Sequence, residues 1–337
     1  GRIRIGYLSN DFYNHPVAHL IISLFSLHNR SKFEIIAYSY GRDDGSRYRR
    51  QIEKDSDLFV DLRALSYEEA ARRIYADKTD ILIDLMGHTK DNRMEICAYR
   101  PAPIQMTWLG FPGTTGADFF DYILTDNTTS PIENAPYFSE KFVYMPNTYM
   151  ISDPYQPISG KEWKRSDFGL PENGFVFCSF NRSYKIEPVM FDAWMDILKA
   201  IPGSVLWLRR VSEVSEKNLK MEAEKRGVSQ NRLIFTGKVP TKEEHLSRHG
   251  LADLALDTRI YNGHATTNDA LFAGVPVITL QGNHFASRAA SSFLSAIGLT
   301  ELITHSIEEY KFLAIRLAQH PDTLIRLRQK LAKNRLT

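Results

Sequence analysis

The sequence predicts an α/β protein built from two Rossmann-like lobes that face each other across a cleft. Three observations predict it: two series of short apolar runs, helical patterns between those runs, and a Pro, Ser and Gly-rich break that separates the two series. Strands of a parallel sheet are buried on both faces, so they read as continuous apolar runs rather than alternating ones.

The first series is "RIRIGYLS", "FEIIAYSY", "LFVDLR", "ILIDLMG", "IQMTWL" and "DYILTD". Amphipathic stretches such as "HPVAHLIISLFSLH" and "SYEEAARRIYADK" lie between the early members, which makes βαβ units with helices on both faces of a sheet. This first lobe is assigned residues 1–152. The break, around "ISDPYQPISGKEWKRSDFGLPENG", is read as a linker over 153–172. The second lobe, 173–337, starts with "FVFCSF" and continues through "SVLWLRR", "RLIFTGK", "LADLALD" and "VPVITL". A chain of 337 residues suits this division, since about 150 residues per domain is the usual prior.

Composition narrows the function. A hydrophobic share of 43% and a charged share of 24% are those of a globular chain, not a disordered or fibrous one. The 42 basic residues nearly balance 40 acidic ones, for a net charge of +2, so there is no broad field for nucleic acid or an anionic membrane. Any phosphate site must therefore be local. Cys97 and Cys178 have no neighbouring Cys, which rules out a disulfide framework or a Cys-type zinc site and fits a reducing, cytoplasmic compartment. No run approaches the roughly 20 apolar residues of a membrane span. The chain opens on a strand with no initiator Met, so a longer parent chain is expected.

In open parallel sheets ligands sit outside the carboxyl ends of the strands, so the residues that follow each strand carry the functional signal. "NDFYNHPVAH", "GHTKDNR" and "FPGTTG" follow strands of the first lobe; "NRSYKIEP", "VPTKEEH" and "RIYNGHATTND" follow strands of the second. Several chemistries fail here. Only Gly6 is present where a dinucleotide fold needs G-x-G-x-x-G, no stretch has Walker A spacing, and no G-x-S-x-G elbow occurs. His15 and His19 share a helix face at i, i+4 and could bind a metal, but no third ligand is near; one His in the cleft and one packed in the helix is the preferred reading, with no metal site.

A two-lobed nucleotide site remains. The turn "YNGHATTND" crowds a glycine and hydroxyls at a helix start, where free amides favour an anion. Lys185 precedes a helix signalled by Glu187 and Pro188, at a positively polarised start, and could neutralise a leaving diphosphate while the amides of Ala265 and Thr266 hold its oxygens. The plain alternative is a solvated surface lysine. Asp269, one turn into the helix, could accept hydrogen bonds from a ribose diol; otherwise it is a first-turn acid favoured by the dipole. Lys242, His245 and Arg248 stand at i, i+3 spacing on one short helix, either a charged solvent face or a ligand face.

"NHPVAH", "RPAPIQMTWLGFPGTTG", "CSFNRSYKIEP", "IPGSVLWL", "KEEHLSRHGLADLALDT" and "YNGHATTNDALFAGVPVIT" together resemble, in order and along nearly the whole chain, the catalytic region of the protein O-GlcNAc transferase family. The resemblance implies a GT-B glycosyltransferase of compact bacterial type, with UDP-N-acetylglucosamine as donor and co-substrate, Ser and Thr hydroxyls of proteins as acceptors, inversion at the sugar carbon, and no metal or cofactor. It implies tetratricopeptide repeats upstream, and a further helical segment after "AKNRLT". By the same resemblance His15 matches the proposed catalytic His and Lys185 the lysine at the diphosphate. Lys242, His245 and Arg248 match uridine-side contacts, Pro240 and Thr241 donor-binding positions, His264, Ala265 and Thr266 the phosphate loop, Asp269 the ribose ligand and Gly110 a sugar contact. Arg182 stands where animal members have Gln and adds a cation near the diphosphate; Ala265 stands where they have Thr and keeps only its amide. A second base position discussed for the family falls near Arg72 and Tyr75, neither a proton acceptor, so His15 is expected to take the proton or to orient the sugar. Two alternatives stay open. One is a protein O-fucosyltransferase using GDP-fucose, whose members tend to have Thr and Glu in place of His264 and Asp269; the other is a non-catalytic nucleotide-sugar-binding module.

Overall fold

A computed structural model of the chain describes residues 1–335; the last two residues of the expected second lobe lie outside that range. The chain forms two compact units, Gly1–Tyr155 and Gln156–Thr337. Among the described residues, the first unit contains β1 (Ile3–Ser9), β2 (Phe33–Ser39), β3 (Leu58–Asp61), β4 (Ile81–Asp84), β5 (Ile104–Thr107), β6 (Tyr122–Thr125) and β7 (Lys141–Tyr144). They pair in the order β3-β2-β1-β4-β5-β6-β7, all parallel. The second contains β8 (Val176–Ser179), β9 (Val205–Arg209), β10 (Leu233–Thr236), β11 (Leu254–Leu256), β12 (Val277–Leu280) and β13 (Ile303–Thr304). Their order, β10-β9-β8-β11-β12-β13, repeats the winding of the first sheet.

Each predicted strand is present; β8 and β12 are buried at every residue, while β3, at the sheet edge, is buried only at Val60. Two strands escaped the apolar-run criterion. β7 is a half-exposed edge strand, and β13 has two residues. The stretch "HPVAHLIISLFSLH", expected as one helix, is two short ones, Pro16–Ile21 and Leu24–Leu27. By contrast, "SYEEAARRIYADK" forms the helix Tyr67–Ala76, started by a reciprocal capping box between Ser66 and Glu69.

The segment read as a linker packs against the second unit. Ser159 N donates to Glu243 O at 3.1 Å, Arg165 pairs with Asp253 at 2.9 Å, and the Trp163, Phe168 and Trp207 rings contact in series at 5.1 Å each. Partial burial of the Trp163 and Phe168 rings adds to this packing.

The core of the second unit reaches the carboxyl edge of its sheet through hydrogen bonds. Fully buried Trp194 donates its indole N–H to the Tyr310 hydroxyl at 3.2 Å, and that hydroxyl donates to the carbonyl of Asp257 at 2.9 Å. Tyr310→Phe removes both bonds with little change of shape. It is expected to cost about 1 to 3 kcal/mol in a denaturant titration, since buried partners are left unpaired.

Candidate functional site

In the second sheet the winding reverses between β8 and β11, which opens a crevice at their carboxyl ends. The loops after these two strands carry the expected phosphate-binding residues, and the structure brings them together. Lys185 lies in the 3-10 turn Ser183–Lys185; its Nζ donates to Asn262 O at 2.7 Å and sits 3.8 Å over the Tyr261 ring. Burial pulls its pKa down to about 8, with Asp257 opposing the shift and Arg182 adding to it. The lysine is therefore not the solvated surface residue of the plain reading.

One detail differs from the expectation. The helix start after Lys185 belongs to Glu187, whose carboxylate caps Val189 N and Met190 N at 2.9 Å each and pairs with Arg259 at 2.7 Å. A side-chain anion already occupies that polarised end, so Lys185 points instead at the turn that follows β11.

That turn is built on Asp257. Its fully buried carboxylate accepts Gly263 N at 2.6 Å and the Thr279 hydroxyl at 2.7 Å. Burial raises its pKa to about 6, against those hydrogen bonds and the nearby Lys185. Gly263 is required by space: a Cβ there would lie 2.4 Å from Thr267 Oγ1 and 2.7 Å from Thr266 Oγ1. Thr266 Oγ1 in turn donates to Asn181 Oδ1 at 2.8 Å, tying the turn to the loop after β8. The helix Ala265–Phe272 starts here, and its first amides, those of Ala265 and Thr266 among them, have no acceptor within the helix. His264 packs edge-on against Tyr261 at 5.3 Å, and burial, followed by the charge of Lys185, holds its imidazole at about 3 and so neutral.

The helix Lys242–His249 forms the next wall. Pro240 leads into it and the Thr241 hydroxyl caps it, accepting Glu244 N at 3.2 Å. Its i, i+3 residues face the site rather than solvent. Lys242 forms an ion pair with buried Asp269, His245 Nε2 lies 3.6 Å from the same carboxylate, and Arg248 donates to His245 Nδ1 at 3.2 Å and to Gly237 O at 2.7 Å. Burial, then the cations of this edge, push His245 well below its ordinary value, leaving a neutral flat ring. Asp269 is thus more than a first-turn acid; it has charged and ring partners from a second helix.

In the first unit, the winding reverses between β1 and β4. His15 follows β1 as the N-cap of Pro16–Ile21, with Nδ1 3.3 Å from Val17 N and 3.2 Å from Asp11 Oδ2. As the cap, Nδ1 accepts the Val17 N–H, with the Asp11 carboxylate beside it. His19, one turn on, hydrogen-bonds Asn14 at 2.8 Å and stacks on Tyr48 at 4.3 Å. The two imidazoles therefore serve different neighbours, and among the described residues no three His, Cys, Asp or Glu side chains are placed to hold a metal ion. Gly110 has a steric reason besides the sugar contact expected of it: a Cβ would meet Leu85 O at 2.0 Å. Arg72 and Tyr75 are exposed, and Arg72 pairs with Glu68.

Sequence reasoning missed Asp257, Asn181 and Asp11, and also Asp84. Asp84 ends β4, accepts Gly87 N at 2.6 Å, and is raised by burial to about 7. The available signal was a carboxylate closing an apolar run, "ILID" and "LALD", at the two strands where the winding reverses. Such an acid is buried on arrival and must be bonded to backbone amides.

With this geometry in hand, comparison with known proteins is direct. The model for Glycosyl transferase family 41 matches residues 1–162 and 162–337. A probable UDP-N-acetylglucosamine--peptide N-acetylglucosaminyltransferase of Arabidopsis thaliana, SEC, is 43% identical over all of this chain and 35% of its own length. The corresponding Caenorhabditis elegans transferase is 33% identical over 98% of this chain and 38% of its length. A solved mutant O-GlcNAc transferase of Thermobaculum terrenum superposes with a TM-score of 0.90 at 34% identity, covering 98% of this chain and 63% of that one. Sucrose-phosphate synthase of Thermosynechococcus elongatus shares the fold, with a TM-score of 0.63 at 11% identity. The architecture is GT-B, and this chain spans little more than a third of the curated relatives it matches. From the match along the whole chain and the fold shared over 98% of it, the protein belongs to glycosyl transferase family 41.

Proposed function

We propose that this chain is the catalytic region of a protein O-GlcNAc transferase, which moves N-acetylglucosamine from UDP-N-acetylglucosamine to Ser or Thr hydroxyls of proteins with inversion. The observation that carries the reading is the meeting of Lys185 with the Asn262–Thr266 turn at the crevice of the second sheet. An ammonium beside a helix start is the arrangement that holds a leaving diphosphate. The neutral His245 ring, Lys242, Arg248 and Asp269 are assigned the uridine side, in keeping with their place beside that crevice.

In that exchange the acceptor oxygen forms a bond to the anomeric carbon while the bond from that carbon to the diphosphate oxygen breaks, and UDP leaves with the electron pair. The acceptor proton passes to a base, assigned to His15, or His15 orients the sugar. Lys185 and the helix amides offset the charge that develops on UDP, so the reading assigns no metal. Tetratricopeptide repeats upstream belong to the proposal, as does a reducing cytoplasmic setting; the latter is supported by the buried free thiols of Cys97 and Cys178.

Incubating the protein with UDP-N-acetylglucosamine and a cell lysate, then mapping modified residues by mass spectrometry, tests the reading. GlcNAc on Ser or Thr is the expected result; no modification with UDP-N-acetylglucosamine, but modification with GDP-fucose, would transfer the assignment to the fucosyl alternative.

The lysine gives a pH signature. With its pKa near 8, Lys185 is charged at neutral pH and loses its proton as pH rises. A diphosphate favours the charged form, so UDP affinity is expected to be flat below pH 8 and to fall by up to about tenfold per pH unit above it. Calorimetry across pH 6.5 to 9.5 checks this, and Lys185→Arg is expected to remove the break.

A further inference from the structure

Arg209 ends β9 in register with Thr236, the end of β10. Successive strand residues point to opposite faces. Arg210 turns to pair with Glu216 at 2.7 Å, whereas Arg209 shares its face with Trp207. That is the face covered by the helix Lys242–His249: the Trp207 ring meets Phe180 at 4.8 Å, Phe180 meets His249 at 4.8 Å, and the Arg248 guanidinium lies 5.0 Å over Phe180. Arg248 also reaches Thr236 Oγ1, opposite Arg209, at 3.4 Å. Arg182 follows β8, the strand that flanks β9 on the other side.

Like charges therefore converge on one edge of the sheet. Burial and then Arg182 lower the pKa of half-buried Arg209, burial and then Arg209 lower that of Arg248, and Arg209 adds a small part to the lowering at His245, which is mainly due to burial. The other cations of this edge have partners: Lys242 has Asp269, Arg248 has Gly237 O, and Lys185 has Asn262 O. Among the described residues, the guanidiniums of Arg182 and Arg209 have neither a hydrogen bond nor an ion pair. A half-buried guanidinium held near Arg248 without a counter-charge costs free energy, and a multivalent anion with oxygens for it and for exposed Arg182 relieves that cost.

We propose that Arg209 and Arg182 form a paired guanidinium clamp for the diphosphate of the nucleotide donor, and that Arg209 makes the site prefer a nucleoside diphosphate to a monophosphate or a nucleoside. The inference rests on the nucleotide-sugar reading and extends it to a residue that neither motif nor resemblance marks. Arg209 is a specificity determinant: its planar, bidentate head suits phosphate oxygens better than a lysine would.

Calorimetric titration of the wild type, Arg209→Leu, Arg209→Lys and Arg182→Leu with UDP, UMP and uridine tests it. Arg209→Leu is expected to weaken UDP by about tenfold or more, UMP by less, and uridine by less than about twofold, with Arg209→Lys between and the UDP loss smaller at high salt. An unchanged UDP affinity, or an equal loss for UDP and uridine, overturns the clamp. If Arg209→Leu does not fold, the Lys and Arg182→Leu variants carry the same comparison. Failure of the wild type to bind UDP at all overturns the nucleotide reading itself, and the clamp with it.

Discussion

Lys185→Ala is expected to lower turnover by two to three orders of magnitude while leaving the unit folded. The size follows from the step in which the charge matters. UDP departs with a negative charge that does not exist in the ground state to the same degree, so a positioned ammonium acts mainly in the transition state, and such contacts are worth about 3 to 4 kcal/mol. At about 1.4 kcal/mol per factor of ten, that is the predicted loss. Stability should move little or improve, because the amine is half-buried and its burial already pulls its pKa down to about 8. Single-turnover kinetics with a peptide acceptor and a thermal melt of the same sample make the check. A variant with near-wild-type turnover removes Lys185 from the chemistry.

For Asp257→Ala the expected result is a double loss, of stability by about 2 to 4 kcal/mol and of UDP affinity by at least about tenfold. The carboxylate is buried and holds Gly263 N and the Thr279 hydroxyl, and both donors lose that acceptor once the side chain is gone. Part of the cost is returned, because a carboxyl with its pKa raised to about 6 destabilises the fold at pH 7. The sign is that of a raised acid: its penalty is absent below the unfolded value near 4 and grows as pH climbs through 6. Affinity suffers separately, since the released turn carries Asn262 and its grip on Lys185. Asp257→Asn keeps one acceptor oxygen and should fall between the two. Denaturant titration and calorimetry separate the effects; UDP affinity within about twofold of wild type in the Ala variant would show that the turn organises itself without its anchor.

How much of this was legible in the sequence depends on what kind of physics set each feature. Runs such as "VPVITL" announced buried strands because a parallel strand has two covered faces, and that signal weakens where one face is open, as at Lys141–Tyr144. Lys242, His245 and Arg248 were legible as a group because helical spacing puts them on one face, and Gly263 because the turn needs room. Sequence alone assigned the helix start at Pro188 to Lys185, since it does not tell which side chain wins a cap; Glu187 wins because its own carboxylate reaches the amides. The anchors Asp257 and Asp84 look like any acid at the end of a strand until the backbone shows the amides they serve. Nor does "LRRV" reveal which arginine turns inward, because strand phase is fixed by the neighbours rather than by the pair itself.

The central claim is that the loops after β8 and β11 hold the diphosphate of a uridine nucleotide. A crystal structure of the protein with UDP tests it most directly. The account predicts diphosphate oxygens within hydrogen-bond reach of Lys185 Nζ and the amides of Ala265 and Thr266, with the uracil beside His245. UDP bound away from the carboxyl edge of the second sheet, or bound there with its diphosphate turned from Lys185, would contradict it.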